Sequence, residues 1–316
     1  MPYFVGIDIG GTNVEIGILN EAGDILGKKS IKTNSKNGAE TTFNRIWDTT
    51  KELAKELNIA EENIEAIGMG IPGPVVNNSV VKIAANFSWG NDFPAKELME
   101  KVSGKPVKVG NDVKVIALGE MLFGAGKGYK NSINIAIGTG IAAGIIINGT
   151  ILDGADGAAG EFGHIVVNED GYKCGCGLTG CLETYCSATG IVREGIRRLK
   201  ENQDNALYRR INGNLDNLEA RDIFELAKEG DPFSMSIVDF FCQYLAKGLG
   251  TLLNVVNPEL VIFSGGVSKA GNTLLDGIKK HLPKYALRMT IENLKFAFGT
   301  LEEEAGIKGA AALIIK

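Results

Sequence analysis

The feature that most constrains this chain is the segment Glu161–Glu183, which reads EFGHIVVNEDGYKCGCGLTGCLE. It contains His164 and three cysteines, Cys174, Cys176 and Cys181. Three thiolates and one imidazole form the ligand set of a closed, four-coordinate structural zinc site. The glycines between the cysteines allow the tight backbone turns that a small metal-binding loop needs. The segment therefore predicts a structural Zn²⁺ site that fixes one loop.

Disulfides and buried free thiols are the alternative interpretations of these cysteines. Disulfides are typical of secreted chains, and the sequence shows no secretory signal. Cys174 and Cys176 are also too close in sequence to bridge comfortably. The absence of a signal and the use of cysteine indicate a reducing compartment, so we expect a cytoplasmic protein. Buried free thiols stay open as an alternative to the metal.

Length and charge exclude several classes of protein. The 316 residues are enough for about two domains. A net charge of -5 gives no general attraction to nucleic acid or to an anionic membrane, so neither is an expected partner. The uncharged stretch 131–152 is long enough to span a bilayer. It is interrupted by Gly138-Thr139-Gly140 and by the turn pair Asn148-Gly149, so it predicts strands and turns instead.

A strand–turn–strand pattern occurs twice, near residues 3–26 and 132–152. The first copy has Asp8 near the end of an apolar strand and continues into the turn Gly10-Gly11-Thr12. The second copy has the turn Gly138-Thr139. Backbone N–H groups in such turns can approach an anion closely, although a plain hairpin would also need glycine. The repetition suggests a duplicated hairpin framework, with one copy in each of two lobes.

The pair Asn111-Asp112 lies where a short strand meets a helix. Asparagine and aspartate are favoured helix caps, which is the structural interpretation of this pair. A carboxylate held at a strand-to-helix junction is also well placed to act as a catalytic base. Both interpretations stay open from the residues alone.

The remaining periodicities predict conventional elements. Trp47 belongs to the apolar stripe of a helix over 40–57, so we expect it in the core. Gly248 and Gly250, inside a long helix that starts at Pro232, indicate the close approach of a neighbouring element, protein or nucleotide. His281 stands near a helix end and is predicted to lie at the surface. Further strands are predicted at 65–71, 106–109 and 260–263, and helices at 187–199, 220–229 and 302–315.

The order Glu-x-Gly-His and then Cys-x-Cys-Gly-x-x-Gly-Cys-x-Glu resembles the signature of the ROK family, which contains bacterial sugar kinases and related sugar-responsive repressors. The other motifs extend the resemblance over nearly the whole chain. It implies an α/β, two-lobed, duplicated ribonuclease H-like fold, that of the actin-like ATPases, with a cleft between the lobes. The implied lobes are 1–117 plus 302–316, the small N-terminal lobe, and 118–301, the large lobe that carries the zinc loop.

The resemblance also implies a role for each motif. Asp112 matches the family's catalytic base, and His164 would bind zinc through one ring nitrogen and the sugar through the other. The implied sugar ligands are Asn86, Asp112, Glu161, His164 and Glu183. The implied contacts to ATP and Mg²⁺ are Asp8, Gly10, Gly11, Thr12, Gly138 and Thr139, with Gly265 and Gly266 as the adenosine motif.

Two short segments depart from the family pattern. Val113-Lys114-Val115 stands where the family often has Ala-Asn-Ala, and Ala142-Ala143 stands where it usually has Gly-Gly. Lys114 would lower the pKa of Asp112 if its ammonium group pointed inward.

Together these expectations describe an ATP-dependent hexose kinase of the glucokinase type, which phosphorylates the 6-hydroxyl of glucose. A kinase for N-acetylmannosamine or N-acetylglucosamine would share the same motifs. The alternative from a different class is a non-catalytic sugar-binding regulator of the ROK family. ROK repressors carry a helix-turn-helix domain ahead of the first strand, which here begins at Tyr3. The expected cofactors are ATP, Mg²⁺ and structural Zn²⁺, the expected partners are a sugar and ATP, and the expected assembly is a homodimer or homotetramer.

Overall fold

The computed structural model describes residues 1–84 and 87–315. The chain divides into two compact units. The first unit contains Met1–Asn134, Gly144–Gly160 and Gly299–Lys316, and the second contains Ile135–Ala143 and Glu161–Phe298. The functional lobes expected at 1–117 plus 302–316 and at 118–301 stay a prediction. Within the described ranges, no helix has both the length and the apolar character needed to cross a membrane.

The first sheet is built around the N-terminal strand. The strands up to residue 111 are β1 (Tyr3–Ile9), β2 (Asn13–Leu19), β3 (Ile25–Lys32), β4 (Ile64–Ile71), β5 (Val75–Val76), β6 (Val80–Ile83), β7 (Asn91–Phe93) and β8 (Val107–Asn111). Five of them pair in the order β3-β2-β1-β4-β8, and the other three form a small antiparallel sheet, β5-β6-β7. β1 is antiparallel to β2 and parallel to β4, which is parallel to β8. The parallel strands are buried and strongly apolar, as sheets covered on both faces require.

The second large sheet repeats this order. Its strands are β9 (Ser132–Ile137), β10 (Ile141–Ile147), β11 (Thr150–Ile151), β12 (Leu260–Ser264) and β13 (Lys295–Phe298). They pair in the order β11-β10-β9-β12-β13. In both sheets the first strand is central, with its following strands on one side and two later strands on the other. The repeated sequence pattern is therefore a repeated topology.

The described residues form the helices predicted over 40–57, 187–199 and 220–229, together with helices that the periodicities did not single out. They are α1 (Ala39–Glu56), α2 (Ala95–Ser103), α3 (Asp112–Phe123), α4 (Glu183–Cys186), α5 (Ala188–Glu201), α6 (Ala206–Arg210), α7 (Ala220–Lys228), α8 (Pro232–Val256), α9 (Asn272–His281), α10 (Arg288–Ile291) and α11 (Ala305–Ala312). In α1 the buried face includes Phe43, Ile46 and Trp47, so the core position of the tryptophan is confirmed. The last helix packs against α3 and β1.

The two glycines of α8 are explained by protein contacts. A Cβ atom at Gly248 would lie 2.6 Å from the side chain of Leu182, and one at Gly250 would lie 2.6 Å from Tyr285. At either position an added Cβ atom would lie well inside van der Waals distance of its neighbour, so only glycine allows this packing. The predicted close approach is confirmed, and the neighbour at each glycine is protein.

The surface position predicted for His281 is wrong. Its side chain is only 7% exposed, and its Nε2 atom lies 2.9 Å from the carboxylate of Asp239 on α8. The prediction failed because the position of a lone histidine near a helix end depends on the neighbouring helix, which its local sequence does not specify.

Candidate active site and metal centre

The first glycine turn, Gly10-Gly11-Thr12, joins β1 to β2 and is held from behind by Thr33. The Thr33 hydroxyl donates to the Gly10 carbonyl at 2.7 Å, and the Thr33 N–H donates to the Thr12 carbonyl at 2.9 Å. Thr33 itself is fully buried, whereas Gly11 and Thr12 are exposed. With both carbonyls engaged, the exposed backbone of the turn is suited to present N–H groups to an anion.

Asp8 lies near the end of β1, beside this turn. A Cβ atom at Gly306 of α11 would lie 2.0 Å from Asp8 Oδ2, so glycine at that position leaves room for the carboxylate. Burial, and then the nearby carboxylates of Asp112 and Glu15, raise the pKa of Asp8 to about 6. A partly buried carboxylate beside a second one is a chemically suitable ligand for a divalent cation, whose charge would offset their repulsion.

Asp112 is the first residue of α3, and the cap of that helix is Asn111. The Asn111 side chain accepts a hydrogen bond from the Lys114 N–H at 3.2 Å, which is the capping contact. Its amide donates to Asp112 Oδ1 at 2.9 Å, and the Val113 N–H donates to the same oxygen at 2.9 Å. Asn111 is therefore the helix cap, and the carboxylate of Asp112 is oriented by hydrogen bonds from Asn111 and Val113.

Lys114 lies in one of the two segments that depart from the family pattern. Its side chain is buried, and its ammonium group forms hydrogen bonds with the 153–157 loop of the same unit. Nζ donates to the Gly157 carbonyl at 2.8 Å, to the Asp153 carbonyl at 3.1 Å and to the Asp153 carboxylate at 3.2 Å. These three acceptors match the three donors of an ammonium group. The residue thus ties α3 to the 153–157 loop.

The second turn, Gly138-Thr139-Gly140, joins β9 to β10 in the second unit. The Gly138 carbonyl accepts from the Ala188 N–H at 2.8 Å, and the Thr139 carbonyl accepts from the Thr189 hydroxyl at 3.1 Å. A backbone N–H and a threonine hydroxyl thus engage two carbonyls of this turn, as the N–H and the hydroxyl of Thr33 engage two carbonyls of the first turn. A Cβ atom at Gly138 would meet no atom within 4 Å, so the space in front of this glycine is open.

A pocket of about 490 Å³ adjoins this second turn. Its volume is in the usual range for small-molecule sites, about 300–1,000 Å³. The wall contains the predicted Gly138, Thr139 and Gly266, together with the start of α7 and the segment after β12. The lining residues are Gly138, Thr139, Ala188, Glu219, Ala220, Arg221, Phe224, Glu225, Lys228, Gly266, Val267, Lys269 and Ala270. Gly265, next to the pocket in sequence, has a positive φ of 82° and is pressed against the Ile137 carbonyl, so it needs to be glycine.

Sequence reasoning missed the α7 wall of this pocket. Arg221, Phe224 and Lys228 fall on one helix whose periodicity shows only that it is amphipathic. Their place beside Gly266 depends on how α7 packs against the segment after β12, so the sequence carries no local signal for it.

The structure brings His164, Cys174, Cys176 and Cys181 together, with one donor atom from each within 4.8 Å of the others. The Cys174 Sγ to His164 Nδ1 distance is 3.7 Å, and the Cys176 Sγ to Cys181 Sγ distance is 3.6 Å. A tetrahedral zinc ion with Zn–S bonds of about 2.3 Å separates two sulfurs by about 3.8 Å. The donor set and these spacings fit Zn²⁺.

The thiols differ in electrostatic environment. The Leu178 N–H lowers the pKa of Cys176, whereas burial raises the pKa of Cys181 to about 12. Without a cation, the buried thiol would remain protonated, and a bound metal ion would supply the charge that favours the thiolate. Cys186 and Cys242 are buried free cysteines, and neither joins the four-residue group among the described residues.

Among the predicted sugar ligands of the second unit, His164 belongs to the metal-ligand group, and Glu161 and Glu183 lie beside it. His164 points Nδ1 at Cys174, and its Nε2 lies 3.8 Å from the exposed carboxylate of Glu161. Glu183 accepts from the Ile141 N–H at 3.2 Å through Oε2. Asn86, the remaining predicted ligand, lies outside the described residues.

Comparison with known proteins identifies the family. The ROK family profile matches residues 4–316. The glucokinase of Halalkalibacterium halodurans is 40% identical over 99% of this chain and 94% of its own length. The glucokinase of Thermotoga maritima is 34% identical over 98% of this chain and 96% of its own length.

The fold comparison agrees with the sequence comparison. The crystal structure of a ROK family glucokinase from Streptomyces griseus, in complex with glucose and AMPPNP, matches 98% of both chains with a TM-score of 0.79 and 34% identity. This likeness confirms the predicted α/β fold of the actin-like ATPases. On the evidence of its sequence signature, its duplicated sheet topology and a match that runs from residue 4 to residue 316, the chain belongs to the ROK family.

Proposed function

We propose that this chain is an ATP-dependent hexose kinase that transfers the γ-phosphoryl group of ATP to the 6-hydroxyl of glucose. The observation that carries the proposal is the oriented carboxylate of Asp112 in a chain 40% identical to a glucokinase. The S. griseus relative, solved with glucose and AMPPNP, supports both substrates.

The base is Asp112. Phosphoryl transfer needs the phosphates and the acceptor hydroxyl to be held in line, and a group that takes the hydroxyl proton. The two hydrogen bonds to Asp112 Oδ1 fix the carboxyl plane, so the group can accept a proton with little reorganisation. Proton transfer leaves the sugar oxygen free to bond to the γ-phosphorus, and the bond from that phosphorus to the bridging oxygen of ADP breaks.

The glycine turns would hold the phosphates, and the pocket beside Gly138 and Gly266 would hold the adenosine. Asp8 would hold Mg²⁺, directly or through a bound water. The cation would neutralise part of the phosphate charge. Asp8, with the carboxylate of Asp112 nearby, is a suitable ligand for it.

The sugar would contact Asp112, Glu161, His164 and Glu183, with Asn86 as a further ligand. Carboxylates and an imidazole suit a ring of hydroxyl groups, each of which donates one hydrogen bond and accepts others. The zinc ion, held by four protein ligands, has no open position for chemistry and would fix the loop that carries these side chains. The homodimer or homotetramer stays a prediction.

A panel of sugars tests the proposed reaction. With Mg²⁺ and ATP, we expect kcat/KM for glucose to exceed that for N-acetylglucosamine and N-acetylmannosamine by about tenfold or more, because an acetamido group adds bulk to a shaped pocket. Coupled detection of ADP measures the rates, and NMR of the product identifies the phosphorylated oxygen. Preference for an acetylated sugar would assign the chain to the alternative kinases. Sugar binding without ADP release would indicate a non-catalytic regulator.

The raised pKa of Asp8 predicts an acidic limb in the pH profile. Its carboxyl group is protonated below pH 6 and then cannot hold a cation, so kcat/KM should fall as the pH drops through about 6. Magnesium competes with the proton, so raising Mg²⁺ at constant ionic strength should move this limb to lower pH. The measurement is the pH profile at two Mg²⁺ concentrations, with NaCl as the ionic-strength control. An acidic limb whose position did not change with the Mg²⁺ concentration would show that Asp8 is not a ligand of the metal ion.

A further inference from the structure

The segment 183–189 follows Cys181, the last predicted zinc ligand. It forms hydrogen bonds with the second glycine turn and with the N–H group of the next residue, Ile141. Glu183 lies two residues after Cys181 and accepts from the Ile141 N–H at 3.2 Å. Farther along, the Ala188 N–H donates to the Gly138 carbonyl at 2.8 Å, and the Thr189 hydroxyl donates to the Thr139 carbonyl at 3.1 Å. Three hydrogen bonds therefore link this turn and the start of β10 to the segment that follows Cys181.

These contacts matter for anion binding because they orient the carbonyl groups of the turn toward the protein. A carbonyl oxygen that faced a phosphate would repel it, and the two contacts engage both carbonyls of Gly138-Thr139 on the protein side. The Thr189 hydroxyl is held in turn, 2.8 Å from the hydroxyl of Ser187, which caps α5. The hydroxyl therefore has one partner on each side.

The position of this segment depends on the metal-binding loop. The Leu182 N–H donates to the Ile165 carbonyl at 2.8 Å, directly after His164, and the Thr184 hydroxyl donates to the Cys181 carbonyl at 2.7 Å. Cys174 Sγ lies 3.9 Å from Glu183 Oε1, the second oxygen of the carboxylate that holds Ile141. One carboxylate thus contacts a metal-ligating thiol and the glycine turn.

We propose that the metal centre positions the nucleotide-binding turn as well as the sugar-binding loop, and that Thr189 is the positioning residue that completes this link. The inference rests on the proposed function, because it takes the second turn to be a phosphate site. It differs from the simpler role of the zinc ion, which would affect sugar binding alone. The distinguishing property is nucleotide affinity measured with no sugar present.

Calorimetric titration with AMPPNP and Mg²⁺, without sugar, tests this link. Removing the metal with a chelator should raise the Kd for AMPPNP by about tenfold or more, and adding Zn²⁺ back should restore it, because a loosened turn must be ordered on binding. Circular dichroism of the metal-free protein checks that it remains folded. Unchanged AMPPNP affinity in folded, metal-free protein would overturn the proposal, as would purified protein that holds no metal.

Thr189→Val tests the link without disturbing the metal. Loss of one hydrogen bond should raise the Kd for AMPPNP by about two- to tenfold, while zinc content and sugar affinity stay at the wild-type level. Thr189→Ser keeps the hydroxyl and should restore nucleotide affinity. Thr251→Val is the matched control, because it removes a similar bond from a hydroxyl to the Lys247 carbonyl within α8.

The outcomes separate this proposal from the proposed function. Nucleotide binding requires no turnover, so a chain that binds AMPPNP but phosphorylates no sugar would refute the kinase reaction and leave this test intact. Equal affinities for Thr189→Val and Thr251→Val would refute the role of Thr189. Zinc-dependent glucose phosphorylation with zinc-independent AMPPNP binding would refute the link while supporting the kinase.

Discussion

Replacing Asp112 with asparagine should lower kcat by roughly a hundredfold or more and leave sugar affinity close to the wild-type value. The amide keeps the size of the carboxyl group and its oxygen can still accept from Val113 and Asn111, so the local structure should persist. What is lost is the ability to take a proton from the sugar hydroxyl. Steady-state kinetics with coupled ADP detection measures kcat, and calorimetry measures sugar binding.

Asp231→Asn is the matched control for this change. Asp231 also begins a helix, and its carboxylate caps α8 by accepting from the Ser234 N–H at 2.8 Å. Asparagine is an equally good cap, so this variant should keep both stability and turnover. If Asp112→Asn turned over at a similar rate to Asp231→Asn, Asp112 would be a structural residue and the base would lie elsewhere.

The parts of this molecule that were predictable from sequence are those fixed by local chemistry. Three cysteines and a histidine at short spacing have few ways to satisfy their ligand capacity, and the structure brings all four donor atoms together. The glycine turns were predicted because the residues of a tight turn themselves determine its backbone conformation. The helix of Trp47 was found because its 3.6-residue period encodes the buried face.

The parts that were missed depend on contacts between segments far apart in sequence. The Thr33 and Thr189 hydroxyls each donate to a carbonyl of a glycine turn, yet each threonine lies at least twenty residues from its turn. Nothing in the sequence around a lone threonine distinguishes a hydroxyl that supports a site from one on a surface. Lys114 shows the same limit, because its burial depends on three acceptors from a loop about forty residues away in sequence.

Replacing Cys174 with serine should remove the metal and weaken sugar binding together. Serine is a poor ligand for zinc, and three remaining donors leave the site open, so zinc should fall from about one ion per chain to a small fraction of that. The loop from Glu161 to Glu183 then loses its central constraint, and we expect the Kd for sugar to rise by about tenfold or more, the scale on which metal-site support contributes. Elemental analysis and calorimetry measure the two effects.

Two further variants distinguish loss of the metal from general damage. Cys186→Ser changes a buried cysteine outside the metal group, whose Sγ lies 3.4 Å from the Phe241 carbonyl, and should keep zinc and sugar affinity. Cys176→His replaces an exposed ligand with another ligand, and two cysteines with two histidines are also a zinc-binding set, so metal should be retained. Active wild-type protein without zinc would contradict the metal assignment outright. If Cys174→Ser lost zinc but kept its sugar affinity, the carboxylates of Glu161 and Glu183 would not need the ion to stay in position. Protein contacts alone would then hold the loop in shape.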